Sequence, residues 1–301
     1  MPIPANQLET WSHQGSIAQS SDTYATVKRA LEAATAPYTD RNFKPILQGS
    51  YGNDTNIHTE SDVDVVIRYD GAFFRDLSRL PPDQLVAYNA HFADGDATYR
   101  YSDFKSHVQT ALTTAFGAPA VRPGTKAIKI AANNSRRNAD VVVAYEYRRY
   151  YKFISAWDEH HENGIGFLTS DGTLIGNFPN QHCENLTAKH QTTNNRFKPT
   201  IRMFKNMRSK LVEDGILAPG IAPSYYIEGL LHNVPNPNFT IDESETVYNV
   251  LKWLDDTKDR STFLCAHGLY FLLRDGHPVC WPIANGNAFI NAVIKLWNDW
   301  P

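Results

Sequence analysis

Apolar and small side chains recur at helical spacing between residues 15 and 36 (Ile17, Tyr24, Val27, Ala30, Leu31, Ala34) with no internal proline or glycine, which predicts a long N-terminal helix. Pro37 and Pro45 bracket a break. Pro45-Ile46-Leu47-Gln48 then predicts a short first strand, and Gly49-Ser50-Tyr51-Gly52-Asn53 a turn. Residues 62 to 69, Asp-Val-Asp-Val-Val-Ile-Arg-Tyr, are rich in β-branched residues and predict a second strand. The pattern is irregular from 70 to 100, where Pro81-Pro82 marks a surface insertion. A helix is predicted over 102 to 116, with Ser102 as N-cap and Gly117 as its stop. Strand-like runs at 126 to 131 and 139 to 147 flank the turn residues Asn133-Asn134-Ser135 and read as a hairpin. Beyond about 150 the chain reads as loops and helices, with helices at 198 to 212, 224 to 232, 244 to 254 and 286 to 299. There is no internal repeat and no low-complexity linker. The pattern predicts an α/β (α+β) chain: a mixed-sheet lobe over 1–150, including the long N-terminal helix, and a mainly helical lobe over 151–301.

Composition narrows the classes of function. With 301 residues, 42 % hydrophobic and 20 % charged, the chain is ordinary globular protein and buries a core without staples. A net charge of -3 argues against broad binding to a phosphate backbone but leaves room for a local basic groove. Cys183, Cys265 and Cys280 form no CxxC pair, which fits a reducing compartment and not a disulfide framework or a structural zinc site. Met1-Pro-Ile-Pro-Ala-Asn lacks the basic and apolar regions of a secretion signal, and no apolar run approaches the ~20 residues of a membrane span. A soluble, cytoplasmic protein is expected, with no membrane partner and no stable nucleic-acid partner. No coiled coil or interface segment argues against a monomer.

The chemistry is concentrated in residues 62 to 65. Alternate side chains of a strand share a face, so Asp62 and Asp64 point one way while Val63 and Val65 point into the core. Two such carboxylates repel each other unless a cation sits between them, and hard oxygen ligands suit Mg²⁺ or Mn²⁺. Asp140 opens the strand Val141-Val142-Val143 directly after a turn and is the expected third ligand. Three carboxylates hold two ions ~3.5–4 Å apart, the arrangement that stabilises attacking and leaving oxygens in phosphoryl transfer. Upstream, Gly49 permits a tight turn, and the Ser50 hydroxyl with nearby N–H groups is suited to a terminal phosphate. A Gly-Ser turn alone signals nothing, and a lone Asp-Val-Asp is more often a solvated edge. Their conjunction with a later strand aspartate is far more specific.

That conjunction resembles the polymerase-β-like nucleotidyltransferase superfamily. The whole chain resembles the bacterial CD-NTases, relatives of animal cyclic-GMP-AMP synthase, and within them clade E. The resemblance is carried by Gln7-Leu8-Glu9-Thr10-Trp11-Ser12-His13-Gln14-Gly15, Leu47-Gln48-Gly49-Ser50-Tyr51-Gly52-Asn53 and Ser61-Asp62-Val63-Asp64-Val65-Val66. It continues through Ala139-Asp140-Val141-Val142-Val143, Lys198-Pro199-Thr200-Ile201-Arg202-Met203-Phe204-Lys205-Asn206 and Ala222-Pro223-Ser224-Tyr225-Tyr226-Ile227-Glu228. It implies a polymerase-β-like catalytic lobe whose nucleotide pocket is completed by the helical lobe. It also implies an Mg²⁺-dependent enzyme that joins two nucleoside triphosphates, ATP and UTP among them, into a cyclic dinucleotide. The product would be read by a separate effector in antiphage (CBASS) defence. By motif position, Gln48, Gly49 and Ser50 lie at the phosphate turn, Lys205 resembles a triphosphate-holding lysine, and Ser224 and Tyr225 resemble a phosphate-contacting serine and a base-stacking tyrosine. Cys183-Glu184-Asn185 resembles a lid segment whose asparagine accompanies pyrimidine use. Asn185 reads about equally as an amide on a uracil edge and as one satisfied by backbone.

Without the resemblance, Lys205 is a solvated helix lysine, Ser224 an N-cap and Tyr225 core. The carboxylate set also serves a linear transferase acting on RNA, protein or a small molecule, and a catalytically inactive nucleotide-binding module is a further alternative. Asp158-Glu159-His160-His161-Glu162 reads as a solvated charged loop and not a metal cluster. Arg136-Arg137 and Tyr147-Arg148-Arg149-Tyr150-Tyr151 are too short and isolated to signal nucleic-acid binding. Cys265, His267 and Cys280 have no zinc spacing.

Overall fold

The computed structural model describes residues 2–15, 17–58, 62–93, 95 and 97–300. Met1, Ser16, Ser61, Asp94, Asp96 and Pro301, which fall in segments read above, lie outside them. Helices α1 (Ala5–Ser12) and α2 (Ala18–Leu31) precede strand β1 (Phe43–Gln48) and the single turn α3 (Gly49–Gly52). Strand β2 (Val63–Asp76) and helices α4 (Pro82–His91) and α5 (Tyr101–Phe116) follow. Next come strands β3 (Val121–Pro123), β4 (Ile128–Ile130), β5 (Ala139–Ser155), β6 (Asp158–Leu168) and β7 (Leu174–Asn177). The remainder is helical: α6 (Pro179–Thr192), α7 (Phe197–Glu213), α8 (Ser224–Asn233), α9 (Glu243–Asp256) and α10 (Ile283–Asn298).

The chain forms two compact units, each assembled from separate stretches. Ala18–Gln48 and Asp62–Pro179 make a sheet unit; Met1–Ile17, Gly49–Ser61 and Asn180–Pro301 make a helical unit. A boundary at 150/151 falls inside β5, which runs on to Ser155 and returns as β6. The long helix expected over 15–36 is the shorter α2, and α1 before it belongs to the helical unit.

In the sheet unit the strand order is β1-β2-β5-β4-β3, with β6 pairing β5 and β7 pairing β6. β2 and β5 are parallel and the other pairs antiparallel. Pro45 is tolerated because β1 pairs only with β2, leaving an edge where no N–H is required. Val63, Val65, Ile67 and Val141 are buried, and Val27, Leu31, Phe104, Val108 and Leu112 of α2 and α5 are buried with them. Each such side chain contributes about 1.5–3 kcal/mol.

Two expectations change here. Pro81-Pro82 starts a helix and not an irregular insertion: Pro82 is the first residue of α4, where its missing N–H costs nothing. Tyr88 of that helix packs edge-on against Tyr150 and Phe153 of β5. The run 158–162 is not a loop but the start of β6, paired to β5 with Arg149 opposite Glu162 and Tyr150 opposite His161. Gly166 farther along the same strand allows close approach: a Cβ there would lie 2.8 Å from Cδ2 of Phe74. Among the described residues this run gathers no metal-binding cluster. The Arg-Tyr run before it is occupied within the fold, with Arg148 paired to Glu146 and lying over Phe73, and Arg149 paired to Asp76.

The helical unit is built around α7, whose Phe197, Ile201, Phe204 and Leu211 are buried along one face. Leu8 of α1, Ile227 and Leu230 of α8, Val250 and Leu254 of α9, and Phe289 and Val293 of α10 complete this core. Among the described residues no helix is long and apolar enough to cross a membrane.

His232 of α8 carries a consequence for pH. Burial, with the charges of Lys189 and His182, lowers its pKa to about 4, against a bond that the imidazole donates to the Asn185 backbone carbonyl, which raises it. The unfolded chain takes up this proton near pH 6.5 and the folded chain only near pH 4. This contribution to stability is therefore complete above the unfolded value and falls as pH drops between the two, by up to about 3 kcal/mol. Urea unfolding at pH 7.5 and pH 5 is expected to show the loss, and His232→Gln to reduce it. An unchanged pH slope in His232→Gln contradicts the assignment.

Candidate active site

The carboxylates are positioned by strand register. Gln48 pairs with Asp64, Asp64 with Asp140, and Asp140 with Lys129. Register partners project to the same face, so one row of polar side chains runs Gln48–Asp64–Asp140–Lys129 across β1, β2, β5 and β4. The next row is apolar, with Leu47, Val65, Val141 and Ile128 in register. Asp62 stands just before β2 and is exposed; Asp64 and Asp140 are half-buried. Burial raises the Asp140 carboxyl above its ordinary range; Lys129 pulls it down, and Asp62 pushes it further up.

Asp62, Asp64 and Asp140 are not drawn into one ligand cluster among the described residues. Their chemistry nevertheless fits a hard divalent cation. All donors are carboxylate oxygens, two of them on adjacent strands in register, and a cation offsets the burial that raises Asp140. Lys129 completes the row through the hairpin that spacing predicted and Gln48 through β1–β2, but only the long-range β2–β5 register joins the two into one row. The Gln48 amide nitrogen is buried with no hydrogen-bond partner among the described residues.

The helical unit holds the other expected residues. Gly49 adopts a φ of 68°, a left-handed conformation open to glycine, and so lets the chain enter α3 with Ser50 as its second residue. The Ser50 carbonyl accepts from Thr55 N–H at 2.9 Å. The loop that follows is polar and buried, with Asn53, Thr55 and Asn56 each under a tenth exposed. One face of α7 clamps it. Lys198 reaches the Asp54 carboxylate at 3.1 Å, Arg202 the Asp54 carbonyl at 2.7 Å, and Lys205 the Thr55 carbonyl at 2.8 Å. Lys205 is thus fully buried and not solvated.

Glu228, one turn into α8 from Ser224, accepts from the Thr55 hydroxyl, from Asn53 Nδ2 at 3.3 Å and bonds His182 Nε2 at 2.8 Å. Burial alone would raise its carboxyl, but His182, Lys205 and Thr55 outweigh burial and hold it below the ordinary range. Ser224 is the first residue of α8 and not its N-cap, which is Pro223; its hydroxyl accepts from Arg208 Nη1 at 3.1 Å. The Tyr225 ring is stacked on His182 at 4.9 Å and 18°. Burial raises its hydroxyl well above the ordinary range, reinforced by Cys265, so the ring stays neutral. Asn185 lies on α6, one turn from His182, and its amide donates to the Ala266 carbonyl at 2.8 Å. His182, Arg208 and Glu228 were missed from sequence. The one available signal was an acidic residue inside the apolar run Ile227-Glu228-Gly229-Leu230-Leu231.

Residues 184–298 match the family model of the cGAS/DncV-like nucleotidyltransferase C-terminal helical domain. Over its full length the chain is 37 % identical to a cyclic UMP-AMP synthase from Rhodothermus marinus, covering 99 % of that protein. It is 36 % identical to a cyclic nucleotide synthase from Staphylococcus haemolyticus, covering all of it. The solved Rhodothermus marinus CdnE c-UMP-AMP synthase with Apcpp and Upnpp superposes with a TM-score of 0.86 over 99 % of this chain and 98 % of that one. The fold and these likenesses define a nucleotidyltransferase. More narrowly, the chain belongs to the CdnE branch of the cGAS/DncV-like nucleotidyltransferase family, the cyclic dinucleotide synthases.

Proposed function

We propose that this enzyme joins two nucleoside triphosphates, at least one of them UTP, into a cyclic dinucleotide with release of two pyrophosphates, giving cyclic UMP-AMP or a cyclic dipyrimidine. The observation that carries the reaction class is the in-register pair Asp64 and Asp140 with Asp62 two residues upstream on the same strand path. Enzymes of this family use divalent ions; Asp62, Asp64 and Asp140 would hold two Mg²⁺ here, with Mn²⁺ as a substitute. Bound there, such ions would supply the Lewis acidity that makes a ribose hydroxyl more acidic and offsets charge on the leaving pyrophosphate.

The chain's own residues bind and orient. Ser50 and Ser224 offer hydroxyls to phosphate oxygens, and Lys205 offers a point charge once it shares or releases the Thr55 carbonyl. Gln48, beside Asp64, has an amide nitrogen in need of an acceptor. Tyr225 stacks a base. The product is read by a separate effector as a defence signal, in keeping with the family.

Base choice rests on Asn185 and on likeness to the Rhodothermus marinus enzyme, named for UMP and AMP. Overall similarity does not decide it, because a relative 31 % identical from Elizabethkingia meningoseptica is named a cyclic dipurine nucleotide synthase. Asn185 donates to Ala266, which leaves its carbonyl oxygen to accept from a uracil N3–H. Asn185→Ser is expected to lower uridine incorporation relative to adenosine about tenfold, the discrimination of one or two polar contacts. Assays with each labelled nucleotide check this, and unchanged uridine incorporation contradicts it.

A further inference from the structure

Behind the Tyr225 ring lies a buried pair that no step of the proposed reaction uses. His182 is 3 % exposed and Glu228 2 %. Nε2 of the imidazole sits 2.8 Å from Oε2 of the carboxylate, while Nδ1 has no partner among the described residues. The carboxylate is therefore the tether that sets the rotation of the imidazole ring. Held there, the ring lies nearly parallel to Tyr225, with centroids 4.9 Å apart. The other rings on Tyr225 meet it at an angle: Tyr226 at 75° and His267 at 38°.

Glu228 is engaged on its other side as well. It accepts from Thr55 and Asn53, in the loop leaving Gly49–Gly52, and Lys205 bonds the carbonyl of the same Thr55. An apolar residue would fill this space without the desolvation cost of a buried carboxylate, so its presence calls for a positioning role. His182 also lies one helical turn from Asn185, on the same face of α6.

We propose that His182 and Glu228 are positioning residues for nucleotide binding. The imidazole backs Tyr225 as a rigid stacking platform, and the carboxylate holds that platform to the loop following Ser50. This rests on the nucleotide-binding roles proposed above for Tyr225 and Ser50.

The test uses the full chain with His182→Gln, which keeps a donor toward Glu228 but loses the ring, and His182→Phe, which keeps the ring but loses the donor. Calorimetry with non-hydrolysable ATP and UTP analogues is combined with steady-state kinetics and thermal unfolding. His182→Gln is expected to unfold near the wild-type temperature and to lose about tenfold in affinity, appearing in KM with kcat changed much less. His182→Phe returns KM toward the wild-type value while lowering thermal stability. Wild-type affinity and KM in folded His182→Gln, or equal KM in the two variants, overturns the proposal. Wild-type enzyme that binds both analogues yet makes no cyclic product removes the proposed reaction and leaves this inference standing. Wild-type enzyme that binds neither analogue removes both.

Discussion

Asp62→Asn combined with Asp64→Asn is expected to lower cyclic product formation by about a thousandfold or more, with the fold intact. The magnitude follows from the role. A metal-held carboxylate set supplies several kcal/mol of charge stabilisation in the transition state, and each ~1.4 kcal/mol is tenfold in rate. The intact fold follows from the geometry. Asp62 is exposed and Asp64 half-buried, on a face whose neighbouring row Val65–Val141 carries the packing. Asparagine keeps the size, and the double change removes like charges placed near Asp140, so unfolding in urea is expected within about 1 kcal/mol of wild type. Product measured by mass spectrometry at more than a tenth of the wild-type level contradicts the assignment of these carboxylates.

The largest loss of stability is expected at Glu228. Glu228→Ala leaves the Thr55 hydroxyl, the Asn53 amide and His182 Nε2 without their shared acceptor, and leaves the buried Lys205 without the nearby carboxylate charge. Breaking a buried ion pair by removing one partner costs about 3–5 kcal/mol. Glu228→Gln, which keeps an acceptor oxygen but not the charge, is expected to cost roughly half as much. Urea unfolding of both variants checks this; a Glu228→Ala protein within about 1 kcal/mol of wild type contradicts the hub role.

Legibility in the sequence followed the strength of the local pattern. Asp62 and Asp64 stood out because alternation along a β-branched run is a period-2 signal that survives without tertiary context. The helices α7 and α10 were equally plain, their apolar positions recurring at helical spacing. By contrast α6 was invisible. Its Pro-Asn-Gln-His-Cys-Glu-Asn-Leu-Thr-Ala-Lys-His-Gln-Thr presents Leu186 as its one fully buried aliphatic residue, so no period emerges. The same segment holds His182 and Asn185, which is why the residue behind Tyr225 escaped notice. Strand β6 was concealed by charge: Asp158 to Glu162 read as solvent-exposed loop, whereas they alternate along a strand whose partners on β5 include Lys152 and Arg149. Asp140 was found by motif, yet its pairing opposite Asp64 comes from a parallel register between strands far apart in the chain, which local spacing does not specify. Lys129 and Gln48 become interpretable once that register is known.

The central claim is that this carboxylate row serves cyclisation of two nucleotides. Purified enzyme incubated with all four NTPs and Mg²⁺, then treated with phosphatase and analysed by mass spectrometry, tests it most directly. A phosphatase-resistant cyclic dinucleotide that contains at least one uridine is expected. A product that phosphatase reduces to a linear species, or one built from purines alone, contradicts it.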